Sequence, residues 1–458
     1  MHLHILGICG TLMGSIALLA RDLGHRVTGS DKNVYPPMST QLSDAGITLH
    51  EGFDERAFDD RPDLVIIGNA GLPRGNPAVE YVLAERLPYT SGAGWLGRYL
   101  LADRHVLAVA GTHGKTTTAS MLTHILTTAG MDPGYLIGGV PLNSGRSAAL
   151  GGGRLFVIEA DEYDTSYFDR RSKFLHYKPQ TLVLNNLEFD HADIFPDLAA
   201  IKDQFALLLR TVPENGLILH AAGDENLDAV IDIGCWTPRQ SFNLATGDWR
   251  ASTSTRDAGQ FSVRFHEQSG DINWALSGEH NIRNALAAVA AAHHVGVNVA
   301  DACAALSSFE GVKRRMEVIF RHGSTVVYDD FAHHPTAIET TLRGLRQKIG
   351  DNAEIIAVIE PASHTMRKGT HATSLRSATE AADHTVWFKP APIDWDIERA
   401  VDAENATVLG VVGDILRHLE QRYRPGTNQH FVVMSNGGFG GFRERLVTLF
   451  RENTAKPV

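Results

Sequence analysis

AVAGTHGKTTTASML, residues 108–122, decides the fold. Small and β-branched apolar residues run into a glycine turn, and Lys115-Thr116-Thr117 then opens a segment with helical spacing. Strand, glycine turn and helix N-terminus in that order form an anion site. Glycine lets backbone N–H groups converge on phosphate oxygens, and the helix start adds partial positive charge. Lys115 supplies a point charge for terminal phosphates and Thr116 a hydroxyl for magnesium. The expected nucleotide-binding residues are therefore Gly111, Thr112, His113, Gly114, Lys115, Thr116 and Thr117. Two residues separate Gly111 from Gly114, where the usual phosphate loop has four before its Gly-Lys pair.

The units on either side repeat the pattern. HLHILG (2–7), RVTGSD (26–31) and PDLVIIGNA (62–70) read as strands, with a helix at TLMGSIALLARDLGH (11–25). HVLAVAG (105–111), RLFVIEAD (154–161) and TLVLNNLEFD (181–190) form a second set, with a helix from 115 to 129. STVVYDDFAHHP (324–335), AEIIAVIEP (353–361), HTVWFK (384–389) and QHFVVMSNGGFGG (429–441) form a third. Strands alternating with helices predict parallel sheets, so the fold class is α/β. At about 150 residues per domain, 458 residues suit three domains. The expected boundaries are 1–104 for a Rossmann-like first domain, 105–312 for a central ATPase-type domain and 313–458 for a Rossmann-like third. Segment 240–276 alternates polar and apolar residues and is expected to be a small antiparallel insert. Alanines in NIRNALAAVAAAHHVG (281–296) predict a closely packed helix, with His293 and His294 on its surface.

Composition narrows the partners. The net charge is −11, from 42 basic and 53 acidic residues, which disfavours nucleic acid. Cys9, Cys235 and Cys303 are odd in number and far apart, so neither a disulfide framework nor a CxxC zinc site is expected, and a reducing cytoplasm is. HILGICGTLMGSIALLA (4–20) is apolar but lacks a basic leader and is broken by glycines, so no signal peptide or membrane span is expected.

A magnesium-bound triphosphate needs acidic residues on neighbouring strand ends, because parallel sheets hold ligands beyond their carboxyl edges. Glu159 ends FVIEAD, and Glu188, Asp190 and His191 follow TLVLNN. Glu159 and His191, with Thr116, are the candidate metal ligands. A solvated acidic turn at EADEYD (159–164) is the competing reading, as is a surface or capping role for His191.

AGTHGKTTT, IEADEYD, NNLEFDHAD, GEHNIRNALAA, GVKRRME and YDDFAHHPTAI occur in this order. Together they resemble the Mur ligase family, ATP-dependent amide-bond-forming enzymes of peptidoglycan synthesis. The opening GICGTLMGSIA is similar to the branch that acts on UDP-N-acetylmuramate. GNPAVE (75–80), EPASHTM (360–366) and MSNGGFGG (434–441) favour members that add the recycled tripeptide L-Ala-γ-D-Glu-meso-diaminopimelate over those that add L-alanine.

The resemblance implies ATP and Mg2+ as cofactors, and UDP-N-acetylmuramate and the tripeptide as substrates, in a cytoplasmic monomer or weak homo-oligomer. It implies catalytic roles for Lys115, Glu159, His191 and Arg315, adenine contacts from Asn281 and Asn284, and ribose binding by Asp330 with His333 in the same loop. It further implies a UDP site at Gly7, Gly10, Thr11 and Asp31. Three departures stand out. Lys202 is no convincing counterpart of the carbamoylated lysine of several relatives. The Asp-Asn-Pro-Arg run of diaminopimelate-adding members is absent, and Cys9 replaces a usual glycine. The rival expectations are an L-alanine ligase, a nucleotide-dependent switch, and a dehydrogenase suggested by the first glycine turn with Asp31.

Overall fold

A computed structural model of the chain describes residues 1–36, 38–69, 71–389, 393 and 395–455. Ala70, at the end of the third expected strand, and 456–458 lie outside the described residues. Three large sheets follow one another along the sequence, and Asp164–Ser166 pairs with Asp169–Ser172 in a separate two-stranded antiparallel ribbon.

The first is fully parallel, in the order Thr48–Glu51, Arg26–Asp31, His2–Leu6, Leu64–Ile67, Tyr89–Ser91. Leu64–Ile67 is apolar on both faces, as a strand covered by helices on each side is, and the polar residues buried in its neighbours satisfy one another, His4 bonding the Thr28 and Ser30 hydroxyls at 2.8 and 2.9 Å. The central sheet is larger. It runs Arg239–Phe242, Leu217–Ala221, Thr181–Leu184, His105–Ala110, Leu155–Glu159, Gly134–Leu136, all parallel. The third sheet orders as Glu317–His322, Thr325–Asp330, Gln429–Met434, Glu354–Ile359, His384–Phe388, Ala406–Leu409, parallel except for its first, antiparallel strand.

Segment 240–276 departs from expectation. Its strands Trp249–Thr253, Gln260–Phe265 and Gln268–Asn273 are antiparallel, but they extend the central sheet rather than stand apart from it. Trp249 stacks on Phe265 at 4.0 Å between ring centroids, and both are buried. That apolar face has to be covered, and the helix Glu279–His294 covers it.

Alanine decides how closely that helix can lie. Ala285, Ala287, Ala288 and Ala290–Ala292 have no exposed surface. His293 and His294 are half-buried rather than on a free helix surface. His293 meets the Trp249 and Phe265 rings edge-on, and His294 Nδ1 bonds the Thr181 hydroxyl at 2.8 Å.

The first and central sheets share one continuous apolar core, which runs from Leu3 and Ile5 through Trp95 and Leu96 to Val106 and Phe156. Helices Gly92–Trp95 and Leu96–Leu100 bridge the two. The third sheet has separate cores on its two faces, around Leu342 and Trp387 on one and around Phe431 and Phe450 on the other.

Ala288→Leu adds three carbons to a packed interface. It is expected to destabilise the central unit by about 1–3 kcal/mol, read as a lower denaturant midpoint with unchanged slope.

Candidate active site

Strand His105–Ala110 delivers the chain to Gly111, at φ +132°, and Gly114, at φ +81°, caps the helix Lys115–Thr128. No side chain fits at either glycine. A Cβ on Gly114 would lie 2.5 Å from Asn284 Oδ1 and 2.9 Å from Asn185 Nδ2, and one on Gly111 would lie 3.0 Å from the Asn186 carbonyl oxygen.

Strand Thr181–Leu184 is only four residues long, because the next two side chains hold the loop. The Asn186 side-chain oxygen accepts from the His113 N–H at 2.7 Å. Asn185 Nδ2 donates to the Thr118 hydroxyl at 3.0 Å. The expected strand to 190 therefore stops early, and NNLEFD is a loop built against the glycine turn.

Lys115 is almost enclosed. Its Nζ donates to the Gly111 carbonyl at 2.6 Å and to Glu162 Oε2 at 2.8 Å. Burial alone would lower its pKa, but Glu162 and Asp161 outweigh burial, and the pKa rises. The ammonium stays charged. Thr116 Oγ1 donates to Glu159, 3.0 Å from Oε1, and the Gly138 N–H donates to Glu159 Oε2 at 2.7 Å. Burial raises the Glu159 pKa against the pull of Lys115.

His191 has a left-handed backbone at φ +58°, and its Nε2 lies 2.9 Å from Glu162 Oε1. Burial disfavours its protonated form, but the Glu162 hydrogen bond and charge more than reverse this. Asp161 turns instead to Lys173, at 3.2 Å, and its pKa falls to about 2 despite burial. Thr116, Glu159, Asp161, Glu162 and His191 thus present carboxylate and hydroxyl oxygens with one imidazole, a donor set suited to a hard divalent cation. One ligand atom from each of Asp161, Glu162 and His191 lies within 4.8 Å of the others. EADEYD is not a solvated turn, since Glu162 is 2% exposed and Asp164 is buried beside Arg170 and Asn69.

The third sheet closes over this edge. Arg315 reaches within 3.5 Å of Thr116 Oγ1, with its guanidinium 4.9 Å from the Phe331 ring centre. Its neighbour Arg314 lies over the same ring at 5.1 Å, but its guanidinium bonds the Ser435 and Gly437 carbonyls and pairs with Asp329 instead. Asp330 is buried, and its two oxygens accept the Met316 and Ala332 N–H groups, each at 2.8 Å.

Thr336 Oγ1 donates to Glu188 Oε2 at 2.8 Å, with the His113 and His334 rings alongside. Burial raises the Glu188 pKa in isolation, but the His113 hydrogen bond and the other partners bring it down to about 2.

A cavity of about 1840 Å³ joins these parts. Thr112–Thr117, Glu159, His191, Asn281, Asn284, Arg315, Asp330 and His333 all line it, and Thr11, Leu12 and Ser15 of the first unit line its far end. Asn284 lies directly under Gly114, accepting from the Thr118 hydroxyl at 3.2 Å, while Asn281 Nδ2 donates to the Ser277 carbonyl. Gly7, Gly10 and Asp31 are not part of this lining. They form a closed turn at the carboxyl edge of the first sheet, where Asp31 accepts the Cys9 N–H at 2.9 Å. Lys202, on helix Leu198–Leu209, does not line the cavity.

Glu162, Asp161, Lys173, Asn185 and Asn186 were not among the expected site residues. The density of acids in EADEYD and the paired amides after TLVL were their only signal.

The three units meet around the glycine turn that opens helix Lys115–Thr128, and comparison of the sequence with known proteins identifies the enzyme class. Residues 2–104 match the Mur ligase family catalytic domain, 109–292 the Mur ligase middle domain and 314–437 the Mur ligase glutamate ligase domain. The chain belongs to the Mur ligase family and is an ATP-dependent amide-bond-forming ligase.

Among its relatives is the UDP-N-acetylmuramate–L-alanyl-gamma-D-glutamyl-meso-2,6-diaminoheptandioate ligase of Escherichia coli (strain K12), 52% identical over 98% of each chain. The UDP-N-acetylmuramate–L-alanine ligase of Desulforapulum autotrophicum is 34% identical over 80% of this chain and 78% of its own. The crystal structure of a murein peptide ligase from Psychrobacter arcticus 273-4 superposes with a TM-score of 0.75 at 47% identity, covering 98% of both chains. A UDP-N-acetylmuramate–alanine ligase from Thermotoga maritima, 23% identical over 99% of this chain and 100% of its own, shares the fold with a TM-score of 0.77. No helix among the described residues is long and apolar enough to cross a membrane.

Gly114→Ala forces both a positive φ and a close contact. Nucleotide affinity is expected to fall at least tenfold and stability by about 1–3 kcal/mol, read by titration calorimetry and thermal melting.

A pH effect follows from the buried imidazoles. Burial lowers the pKa of His4 and His334 to about 3, and of His280 and His333 to about 4, from the ordinary 6.5. Between about 4 and 6.5 the unfolded chain binds protons that the folded chain does not. Stability therefore falls as pH drops through that window, with His191, raised instead, opposing it in part. Urea unfolding at pH 7.5, 6 and 5 should show midpoints declining in that order.

Proposed function

We propose that this chain joins the lactyl carboxylate of UDP-N-acetylmuramate to the alanine amine of L-alanyl-γ-D-glutamyl-meso-diaminopimelate, cleaving ATP to ADP and phosphate. It would act in the cytoplasm during peptidoglycan recycling. The observation that carries the reading is the convergence of Lys115, Thr116, Glu159 and Arg315 on one cavity that continues to Thr11 of the first unit. The choice of amine rests on the relative that shares 52% identity over 98% of both chains and is named for that tripeptide. We assign residues 1–104 to the UDP-sugar, 105–312 to ATP and 313–458 to the peptide.

A carboxylate resists attack by an amine because it already carries negative charge, so it must first be activated. One carboxylate oxygen attacks the γ-phosphorus in line, ADP leaves, and an acyl phosphate forms. The amine nitrogen then attacks the acyl carbon, the tetrahedral intermediate expels phosphate, and the nitrogen loses a proton.

Lys115 exchanges its Gly111 and Glu162 contacts for the β- and γ-phosphates, and the loop N–H groups hold the same oxygens. Thr116 and Glu159 would hold a magnesium ion, with His191 beside a further one, and such ions would offset charge on the transferring group. Arg315 reaches the phosphates from the third unit. Asn281 and Asn284 border the base, Asp330 holds the ribose, and the turn at Gly7, Gly10, Thr11 and Asp31 holds the uridine nucleotide. Docking of the third sheet also keeps water from the acyl phosphate.

Phosphate release with ATP and UDP-N-acetylmuramate should be stimulated by the tripeptide and far less by free L-alanine. Stimulation by L-alanine alone would identify the alanine-adding reaction instead. Lys115→Ala should lower turnover by a factor on the order of a thousand or more without loss of fold by circular dichroism.

A further inference from the structure

The loop that carries His191 is fastened to the third unit at Glu188, which accepts from Thr336, and again on either side of His191 itself. EPASHTM supplies a one-turn helix, His364–Arg367, capped by the Ser363 hydroxyl. Thr365, on that turn, is 2% exposed. Its Oγ1 donates to Asp190 Oδ1 at 2.8 Å and accepts from the Ala192 N–H at 3.2 Å. Lys368 Nζ donates to the Ala192 carbonyl at 2.6 Å. These bonds bracket His191, whose positive φ is costly for any residue but glycine.

The same Asp190 oxygen accepts the His191 N–H at 2.7 Å. From His191 the series continues through Nε2 to Glu162 Oε1 at 2.9 Å, and from Glu162 Oε2 to Lys115 Nζ at 2.8 Å. One hydroxyl of the third unit therefore stands at the head of a hydrogen-bonded series ending on the phosphate-loop lysine. Thr365 does not line the cavity, so it acts only through its neighbours.

We propose that Thr365 is a positioning residue. By bridging Asp190 and Ala192 it fixes the strained turn that aims His191 at Glu162. The setting of Glu162, and of Lys115 until phosphates replace that contact, then depends on the third unit being docked. Valine keeps the branched shape of threonine but neither donates nor accepts, whereas serine does both. The proposal deepens the tripeptide-ligase reading and rests on it for the kinetic assay.

The test uses full-length wild type, Thr365→Val, Thr365→Ser and Lys368→Ala, with two readouts. In steady-state assays with the tripeptide, kcat of Thr365→Val should fall about tenfold with the KM for ATP within about twofold, and Thr365→Ser should stay within about threefold of wild type. In amide hydrogen exchange with a non-hydrolysable ATP analogue and UDP-N-acetylmuramate bound, the segment containing residues 190–192 should lose protection in Thr365→Val and keep it in Thr365→Ser. Strand Thr325–Asp330 should be unaffected in both.

Lys368 is exposed and its change carries little folding risk. Lys368→Ala should loosen 190–192 and lower kcat about threefold. The proposal is overturned if Thr365→Val keeps kcat within about twofold, if Thr365→Ser falls as far as Thr365→Val, or if protection at 190–192 is unchanged in both Thr365→Val and Lys368→Ala. A wild type inactive on the tripeptide counts against the substrate reading alone, because the exchange result does not depend on it.

Discussion

A buried ammonium governs the layout of the site. The Lys115 side chain is 11% exposed and Glu162 only 3%. A charge taken that far out of water costs several kcal/mol unless neighbours compensate it. Three of the four acids of EADEYD answer this differently. Glu159 takes the Thr116 hydroxyl, Asp161 takes Lys173, and Glu162 is shared between Lys115 and His191. The division keeps three carboxylates from crowding one cation and leaves Lys115 with partners that a triphosphate can replace. In the proposed chemistry those carboxylates would receive the accompanying metal, so the groups that stabilise the loop are the groups that chemistry uses.

Topology explains why these residues can meet. In a parallel sheet every strand delivers its carboxyl end to the same edge. His105–Ala110, Leu155–Glu159 and Thr181–Leu184 are adjacent in the central sheet, so the glycine loop, Glu159 and the NNLEFDH segment emerge side by side. The third sheet adds its own carboxyl edge, where Asp330 ends Thr325–Asp330 and Ser435 follows Gln429–Met434. The shared core of the first two sheets and the separate cores of the third make the third the natural moving part.

Much of this was legible in the sequence because it is local. Strand apolarity, the glycine turn and the helix after Lys115 are each set within about fifteen residues, and they fall where periodicity puts them. Alternation in 240–276 revealed strands but not their partners. Pairing is a long-range property, and the segment continues the central sheet through a single bridge between Phe242 and Trp249. The length of TLVLNNLEFD was overestimated for a similar reason. Asn185 and Asn186 read as strand-end polar residues, yet their amides are occupied by the phosphate loop more than sixty residues earlier in the chain.

Adjacent residues with opposite duties mark the limit of such a reading. Arg314 and Arg315 look interchangeable in GVKRRME. The backbone separates them, because Arg314 at φ +59° and Met316 at φ +50° reverse the chain on either side of Arg315. Arg314 is thereby turned into the third unit, where Asp329 and two carbonyls hold it, and Arg315 is turned out toward Thr116. Left-handed conformations at non-glycine residues carry no composition signal, and here they fall beside side chains that have to be aimed, Arg315 at Thr116 and His191 at Glu162. Resemblance to relatives could single out Arg315 but could not explain it. The explanation is that two strained residues spend local stability to place one guanidinium over a phosphate loop nearly two hundred residues away, which is useful only if the third unit docks in a single defined pose.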